Sequence, residues 1–165
     1  MIKLLLSACI DAEKDNVWKV LSQVEKINVW VEHVVSAYCE GDLIKGAGTV
    51  RVYRLKKNIT IKEKWISWDE GHTFTYIGYN IPMVKRAINT WSVESIKGKT
   101  LVTTQSKIKQ KGGVIGKLLE PLMRLMSKKI SNESRAALKY LVENKKPYDG
   151  KLSICQIYQL HVNFG

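Results

Sequence analysis

Residues 100–144 read TLVTTQSKIKQKGGVIGKLLEPLMRLMSKKISNESRAALKYLVEN, and a change of apolar periodicity inside this stretch decides the fold. Up to Gln110 the side chains alternate with the two-residue period of a strand. After Gly112-Gly113, apolar residues recur every three or four positions, which predicts a long amphipathic helix over residues 113–145. An interruption or a kink is expected near Glu120-Pro121, because proline disturbs the helical hydrogen bonds. The chain thus passes from a last strand into a long helix.

Upstream of this stretch the sequence is rich in strands separated by short turns. Val, Ile, Thr, Tyr and Trp dominate segments divided by sequences such as Gly46-Ala47-Gly48 and Asp69-Glu70-Gly71, a pattern typical of an antiparallel meander. The predicted strands cover residues 34–41, 48–57, 59–69, 72–81, 86–97 and 100–110. Residues 2–10 add a strand at the start. Helical spacing then predicts an amphipathic helix over 12–24 with Asp11 as N-cap, and a short helical turn over 25–32.

These elements predict one α+β domain in which a sheet packs against the long C-terminal helix. Each has a single apolar face to bury, and packing one against the other buries both. A chain of 165 residues is long enough for one such core without disulfide or metal support. No apolar run approaches the roughly 20 residues of a membrane-spanning helix.

The charge of the chain is strongly basic and unevenly placed. The formal net charge is +12; residues 1–96 carry 13 basic and 11 acidic side chains, whereas residues 97–165 carry 14 and 4. A basic last third suits phosphate, nucleic acid or anionic lipid. It is also what a solvated lysine surface looks like, and both interpretations stay open.

Cysteine and histidine spacing gives no sign of a metal site. Cys9, Cys39 and Cys155 are odd in number and form no CxxC pair, so free thiols and a reducing, cytoplasmic location are expected. The three histidines lie far apart, outside any metal-binding spacing. Neither a metal nor a cofactor is predicted.

Several short sequences together carry a family resemblance. They include Ile10-Asp11-Ala12 before Val17-Trp18, Gly46-Ala47-Gly48-Thr49-Val50, Trp91-Ser92-Val93-Glu94 and Leu118-Leu119-Glu120-Pro121-Leu122. Over about residues 1–145 the chain resembles the START-related superfamily, also called SRPBCC, and in particular its polyketide cyclase/dehydrase and lipid-transport branch. Residues 1–146 are therefore taken as one domain, and residues 147–165 as a C-terminal extension of unknown role.

The resemblance implies a helix-grip fold. In that fold a curved seven-stranded antiparallel sheet wraps around the long C-terminal helix, two short helices follow the first strand, and an internal cavity holds lipids, sterols, polyketides or quinones. Some members catalyse cyclisation or dehydration. The family shares no catalytic motif, so no catalytic residue is carried over to this chain.

Alternation along the predicted strands selects the side chains that could line such a cavity. The resemblance suggests that the face of Glu63 points inward. The ligand-binding candidates are Arg51, Tyr53, Glu63, Trp65, Phe74, Tyr76, Trp91, Leu122 and Met126. Arg51 and Glu63 are expected to pair, because a charge inside an apolar interior needs a partner. The pair is interpreted as an anchor for a ligand head group, as a structural ion pair, or as two solvated side chains in the opposite register. The aromatic residues suit core packing as well as ligand contact.

The favoured function is binding or transport of a small hydrophobic ligand, lipid-, polyketide- or quinone-like. The alternative is a cyclase/aromatase or dehydratase in which Glu63, Arg51 or Tyr76 positions and protonates the substrate. A third hypothesis is a basic interaction module for RNA or the ribosome. The surface candidates are Lys107, Lys109, Lys111 and Lys117, expected around an apolar cavity mouth that docks on an anionic membrane. Nucleic acid ranks lower as a partner, because no recognised binding motif is present.

Overall fold

The computed structural model describes residues 1–148. Except for Pro147 and Tyr148, the predicted C-terminal extension lies outside the described residues, as does Cys155. In chain order the elements are β1 (Ile2–Ile10), α1 (Lys14–Leu21), a 3₁₀ helix (Val24–Val29), β2 (Val34–Glu40), β3 (Val50–Leu55), β4 (Thr60–Asp69), β5 (Thr73–Tyr79), β6 (Val84–Ile96), β7 (Lys99–Gln110), α2 (Gly113–Leu118) and α3 (Glu120–Asn144).

The strands form one antiparallel sheet in the order β1-β7-β6-β5-β4-β3-β2. Consecutive strands from β2 to β7 pair as hairpins, and β1 joins the free edge of β7. This arrangement of seven antiparallel strands with a long C-terminal helix confirms the predicted fold class. Strand β6 begins two residues earlier than predicted, because Val84 still pairs with Gln110 across a bulge.

The ends of the helices match the predictions to within a few residues, and the long helix is interrupted close to the expected position. The predicted helix over 113–145 is divided at Leu119 into α2 and α3, and proline occupies the first turn of α3, where its missing N–H costs no hydrogen bond. The predicted N-cap of α1 is wrong. Glu13 occupies the cap position, and the Asp11 carboxylate lies 3.6 Å from Nζ of Lys99 instead.

One face of the sheet, called here the inner face, carries the buried side chains. Residues directly opposite each other on antiparallel strands share a face, so the register defines it. Arg51 lies opposite Glu63, and Tyr76 lies opposite both Trp65 and Asn89. The inner face includes Ile2, Leu4, Ala8, Arg51, Tyr53, Ile61, Glu63, Trp65, Phe74, Tyr76, Asn89, Trp91, Val102, Thr104, Ser106 and Ile108.

Two buried apolar clusters lie on this inner face. The larger one joins the aromatic residues of the sheet to α1, the 3₁₀ helix and the second half of α3, where Ala137 and Leu138 are buried. The smaller one contains Ile2, Val84 and Ile108, with Met123 of α3 packed against it. Helix α3 therefore touches both clusters, and its most deeply buried residues, Arg135 to Leu138, lie in its second half.

Candidate functional site

A buried ion pair joins β3 and β4 on the inner face. Arg51 and Glu63 are directly opposite in the register, and their side chains are each 6% exposed. Nε of Arg51 donates to Oε2 of Glu63 at 3.1 Å, and Nη2 donates to the same oxygen. The pairing expected from the sequence is therefore present, and the opposite register, with both side chains in water, is wrong.

Neighbouring groups hold the pair in place. Nη1 of Arg51 donates to the Val24 carbonyl oxygen at 2.6 Å, and the Tyr53 hydroxyl donates to Oε1 of Glu63 at 3.3 Å. The guanidinium also lies over the Trp65 ring, 4.9 Å from its centroid. Such a contact favours a desolvated cation, because the face of an aromatic ring is electronegative. Both carboxylate oxygens of Glu63 are thus engaged by protein donors.

The same surroundings shift the proton affinities of nearby side chains. Burial is the largest single effect and opposes the charge of Arg51, but Glu63, Tyr76 and Tyr53 together outweigh it, and the pKa of Arg51 is raised. Burial, followed by the negative charge of Glu63, raises the pKa of Tyr53 well above the usual phenol value and also raises the pKa of Tyr76. Both phenols therefore stay neutral at ordinary pH.

The aromatic candidates pack against one another beside the ion pair. The Trp65 ring lies 5.1 Å from Tyr76 and 6.1 Å from Phe74, and Trp91 lies 6.1 Å from Trp30. Trp65, Phe74 and Trp91 belong to the larger apolar cluster and are at most 8% exposed. Core packing is thus their observed role.

The indole N–H of Trp65 is buried and unpaired. Nε1 of Trp65 has no hydrogen-bond acceptor among the described residues. An indole N–H is a donor only, and leaving it unpaired in the interior costs free energy.

Apolar side chains of α2 and the first half of α3 remain uncovered. Each is more than half exposed: Val114, Ile115, Leu118, Leu122, Leu125, Met126 and Ile130. The candidates Leu122 and Met126 are among them, at four-residue spacing with Ile130, so the three share one helical stripe. Neither Leu122 nor Met126 belongs to the buried cluster that contains the sheet candidates Trp65, Phe74 and Trp91.

A cleft continues this stripe toward the 3₁₀ helix. It has a volume of about 110 Å³ and is lined by Trp30, Val31, Glu32, His33, Ile130, Glu133, Ser134, Ala137 and Tyr148. Ile130 belongs to both the cleft and the exposed stripe. The uncovered face of α3 therefore adjoins the cleft between α3 and residues 30–33, which follow the 3₁₀ helix.

A second buried arginine was not among the sequence-based candidates. Arg135 of α3 is 2% exposed, and its Nη1 donates to the Thr104 hydroxyl of β7 at 2.7 Å. Its Nη2 donates to Oδ1 of Asn132. The sequence held a signal, because Arg135 falls at helical spacing with the apolar residues Leu138 and Val142.

The four lysine candidates do not form one cluster around a cavity mouth. Lys107 and Lys109 are exposed and alternate with buried Ser106 and Ile108, so they project from the face of β7 opposite the inner face. Lys111 and Lys117 are exposed at the two ends of the α2 segment. Only this second pair lies beside the uncovered apolar residues of α2.

Residues 1–148 also bear on metal binding and on membrane spanning. No group of His, Cys, Asp and Glu side chains there could hold a metal ion. None of the helices in that range combines the length and the apolar character needed to cross a membrane.

Comparison with known protein families shows which family this chain belongs to. The family model described as polyketide cyclase/dehydrase and lipid transport matches residues 1–143. The chain belongs to this family. The resemblance inferred from the sequence is thereby confirmed. A search among curated proteins found no match.

Solved structures share the fold at low sequence identity. The protein TTHA0849 from Thermus thermophilus superposes with a TM-score of 0.72 and 17% identity, covering 87% of this chain and 99% of that one. The Zhui aromatase/cyclase from Streptomyces sp. R1128 gives 0.71 and 13%, covering 87% and 94%. A START superfamily protein from Mycobacterium smegmatis gives 0.70 and 11%, covering 87% and 99%. The helix-grip architecture is therefore common to all four chains.

Proposed function

We propose that this protein binds and carries a small hydrophobic molecule between the inner face of its sheet and α3. The observation that carries the proposal is the uncovered apolar stripe of Leu122, Met126 and Ile130, which runs into the cleft beside the 3₁₀ helix. Exposed apolar surface of this extent on a monomer usually marks a site that something else covers. The family description, which includes lipid transport, is consistent with such an occupant.

The described cleft alone is too small for a typical ligand. Pockets for small molecules are usually about 300–1,000 Å³, whereas this cleft has about 110 Å³. The apolar stripe supplies the remaining surface, because its side chains already face solvent and need no rearrangement to be covered. We therefore assign the cleft to one end of the ligand and the stripe to its apolar body.

The Arg51–Glu63 pair supplies a polar anchor on the inner face. Beside it, the unpaired N–H of Trp65 can donate to a hydroxyl or keto oxygen. A mostly apolar site with a few fixed polar groups is the usual composition of a small-molecule site. The other candidates, Tyr53, Phe74, Tyr76 and Trp91, would contribute apolar and aromatic contact area around this anchor.

The cyclase or dehydratase alternative is supported less well by the same geometry. A general acid or base works best with a pKa near the operating pH. Tyr53 and Tyr76 have pKa values raised away from that range, and Arg51 and Tyr53 already occupy both oxygens of Glu63. This arrangement suits a fixed anchor better than a group that exchanges protons.

A neutral fluorescent probe tests the proposal directly. N-phenyl-1-naphthylamine brightens in apolar surroundings and accepts excitation energy from tryptophan, of which Trp18, Trp65 and Trp91 are buried on the inner side. We expect saturable binding of one probe per chain, with energy transfer on excitation of tryptophan. The phenyl ring of Ser134→Phe should fill the cleft and weaken binding at least about tenfold, whereas exposed Ser36→Phe should bind as the unchanged protein does. Equal binding by both variants, or no saturable binding at all, would contradict the proposal.

A second surface favours docking on an anionic membrane during ligand exchange. Val114, Ile115 and Leu118 of α2 are 67–83% exposed, and Lys111 and Lys117 flank them. Apolar side chains that insert at the bilayer surface, with lysines beside them, bind anionic lipids preferentially. We assign this surface to a membrane rather than to nucleic acid, because its apolar centre would be buried in a bilayer surface but not against a phosphate backbone.

Vesicle sedimentation distinguishes an anionic membrane from nucleic acid as the partner of this surface. Vesicles with phosphatidylglycerol should bind the protein, those of phosphatidylcholine alone should not, and salt should weaken the binding. Each lysine near such a surface contributes about 1 kcal/mol, so Lys117→Glu should weaken binding about tenfold or more, and Lys97→Glu in the β6–β7 turn, at the opposite end of β7, should not. Equal binding to both lipids, or binding of RNA that Lys117→Glu weakens equally, would overturn the assignment.

A further inference from the structure

The buried guanidinium of Arg135 lacks a negative partner. It is 2% exposed, and none of the carboxylates among residues 1–148 lies within ion-pair distance of it. By contrast Arg51, the other buried arginine, is fully paired with Glu63. Buried charges are normally paired, because removing a charge from water without a partner costs several kcal/mol. An unpaired buried cation is therefore the exception that needs an explanation.

Hydrogen bonding satisfies Arg135 only in part. A guanidinium has five N–H donors in a planar fork that matches the two oxygens of a carboxylate or phosphate. The hydroxyl of Thr104 and the amide oxygen of Asn132 accept two of them, and both acceptors are neutral. The remaining three donors have no hydrogen-bond partner within the described part of the chain.

The position of Arg135 places it on the ligand side of the sheet. Thr104, its partner on β7, shares the inner face with Trp91, which lies directly opposite on β6. Two residues along the same face, Ser106 donates to Asn89 at 2.7 Å, and Asn89 lies opposite Tyr76. A band of polar side chains thus crosses the inner face between the larger and the smaller apolar clusters.

We infer that Arg135 is the receptor for an anionic head group, a carboxylate or a phosphate, on the hydrophobic ligand. This inference rests on the proposed function and narrows the ligand class to amphipathic anions. Strand β7 is three strand spacings from β4, so Thr104, the partner of Arg135, lies at least about 14 Å from Glu63 measured along the sheet. Arg135 and the Arg51–Glu63 pair are two distinct polar sites. The charge of Arg51 is neutralised by Glu63, whereas the charge of Arg135 has no negative partner among the described residues.

Burial also lowers the pKa of Arg135 to about 10. The side chain remains a cation at neutral pH, but it is less stable as a cation than an arginine in water. An anion that binds beside Arg135 would offset the free-energy cost of burying its charge, so this charge favours ligand binding more than it stabilises the fold.

Competition for the bound naphthylamine probe tests the inference with three twelve-carbon compounds. Dodecanoate and dodecyl phosphate carry the two anionic groups, and dodecan-1-ol is the neutral match. We expect at least one of the anions to displace the probe from the unchanged protein at least about tenfold more effectively than the alcohol. The tighter anion identifies the head group. Equal displacement by all three compounds overturns the inference while leaving the proposed function intact, whereas failure of the probe itself to bind refutes both.

Variants at position 135 test whether Arg135 causes the preference for an anion over dodecan-1-ol. Arg135→Met should weaken binding of the preferred anion at least about 30-fold and leave dodecan-1-ol within threefold, since it removes a buried charge–charge contact. Arg135→Lys should retain part of the preference, because it keeps the charge without the fork. Arg86→Met, an exposed arginine on β6, should change neither. A purely structural arginine would instead lower the affinity for anion and alcohol by the same factor, and that result would refute the inference.

Discussion

The coupling between Arg51 and Glu63 can be measured by a double-mutant cycle with Arg51→Met and Glu63→Gln. At an effective dielectric constant of about 20 and a charge separation of about 4 Å, their attraction is about 4 kcal/mol. Breaking a buried pair by removing one partner typically costs about 3–5 kcal/mol, because the other charge stays buried. We therefore expect each single variant to lower the free energy of unfolding by about 3 kcal/mol or more. Arg51→Met should cost more, since it also leaves the Val24 carbonyl oxygen without its donor.

The double variant should be far less damaging than the sum of the two single variants. We expect a coupling energy of at least about 2 kcal/mol from urea unfolding followed by tryptophan fluorescence. The control cycle uses Lys62 and Glu40, an exposed pair; Lys62 directly precedes Glu63 in β4 and projects from the opposite face of the sheet. Its coupling should stay below about 1 kcal/mol and vanish in 1 M salt, whereas the buried coupling should persist. Additive effects of Arg51→Met and Glu63→Gln, within about 0.5 kcal/mol, would refute the reasoning.

Three further outcomes follow from the shifted proton affinities and from one close backbone approach. Because folding raises the pKa values of Tyr53 and Tyr76, their phenols should ionise only above the usual value near pH 10, and the free energy of unfolding should fall as the pH rises beyond that value. Comparing the absorbance at 295 nm of the unchanged protein with that of its Tyr→Phe variants shows at which pH each phenol ionises. Ionisation of both phenols near pH 10 would contradict the prediction. Burial, then the nearby Glu25, raises the pKa of the Cys39 thiol to about 11, so iodoacetamide at pH 8 should modify it more slowly in the folded than in the unfolded chain, as peptide mass mapping would show. A Cβ at Gly116 would lie 2.3 Å from the Lys111 carbonyl oxygen, so Gly116→Ala should lower the thermal midpoint by several degrees, and an unchanged midpoint would show that α2 moves freely.

The strands were predictable because their side chains obey one local rule. Alternation of buried and exposed residues along β4 and β7 follows from sheet geometry, so Glu63 and Trp65 could be placed on one face without knowing what covers it. The change to helical spacing after Gly112-Gly113 likewise predicted α2 and α3. The Arg51–Glu63 pair followed from combining the two strands with the need of a buried charge for a partner.

Other features depend on tertiary contacts that no local pattern contains. The periodicity of α3 marks Leu122 and Met126 as apolar but cannot tell whether protein covers them, and the structure leaves both more than half exposed. Asp11 fits an N-cap by residue type, yet Glu13 occupies the cap position, and the Asp11 carboxylate lies near Lys99 at the start of β7. Arg135 lies on an apolar helical stripe, but only the packing of α3 on β7 shows that it is buried beside Thr104.

Whether a hydrophobic molecule occupies the space between α3 and the inner face is most directly tested by native mass spectrometry of the protein purified from its own host. The chain should carry one additional organic mass that is lost on denaturation. Extraction and fragmentation should show an apolar molecule bearing an anionic group. Protein of bare chain mass that also fails to bind the neutral naphthylamine probe would contradict the proposed function.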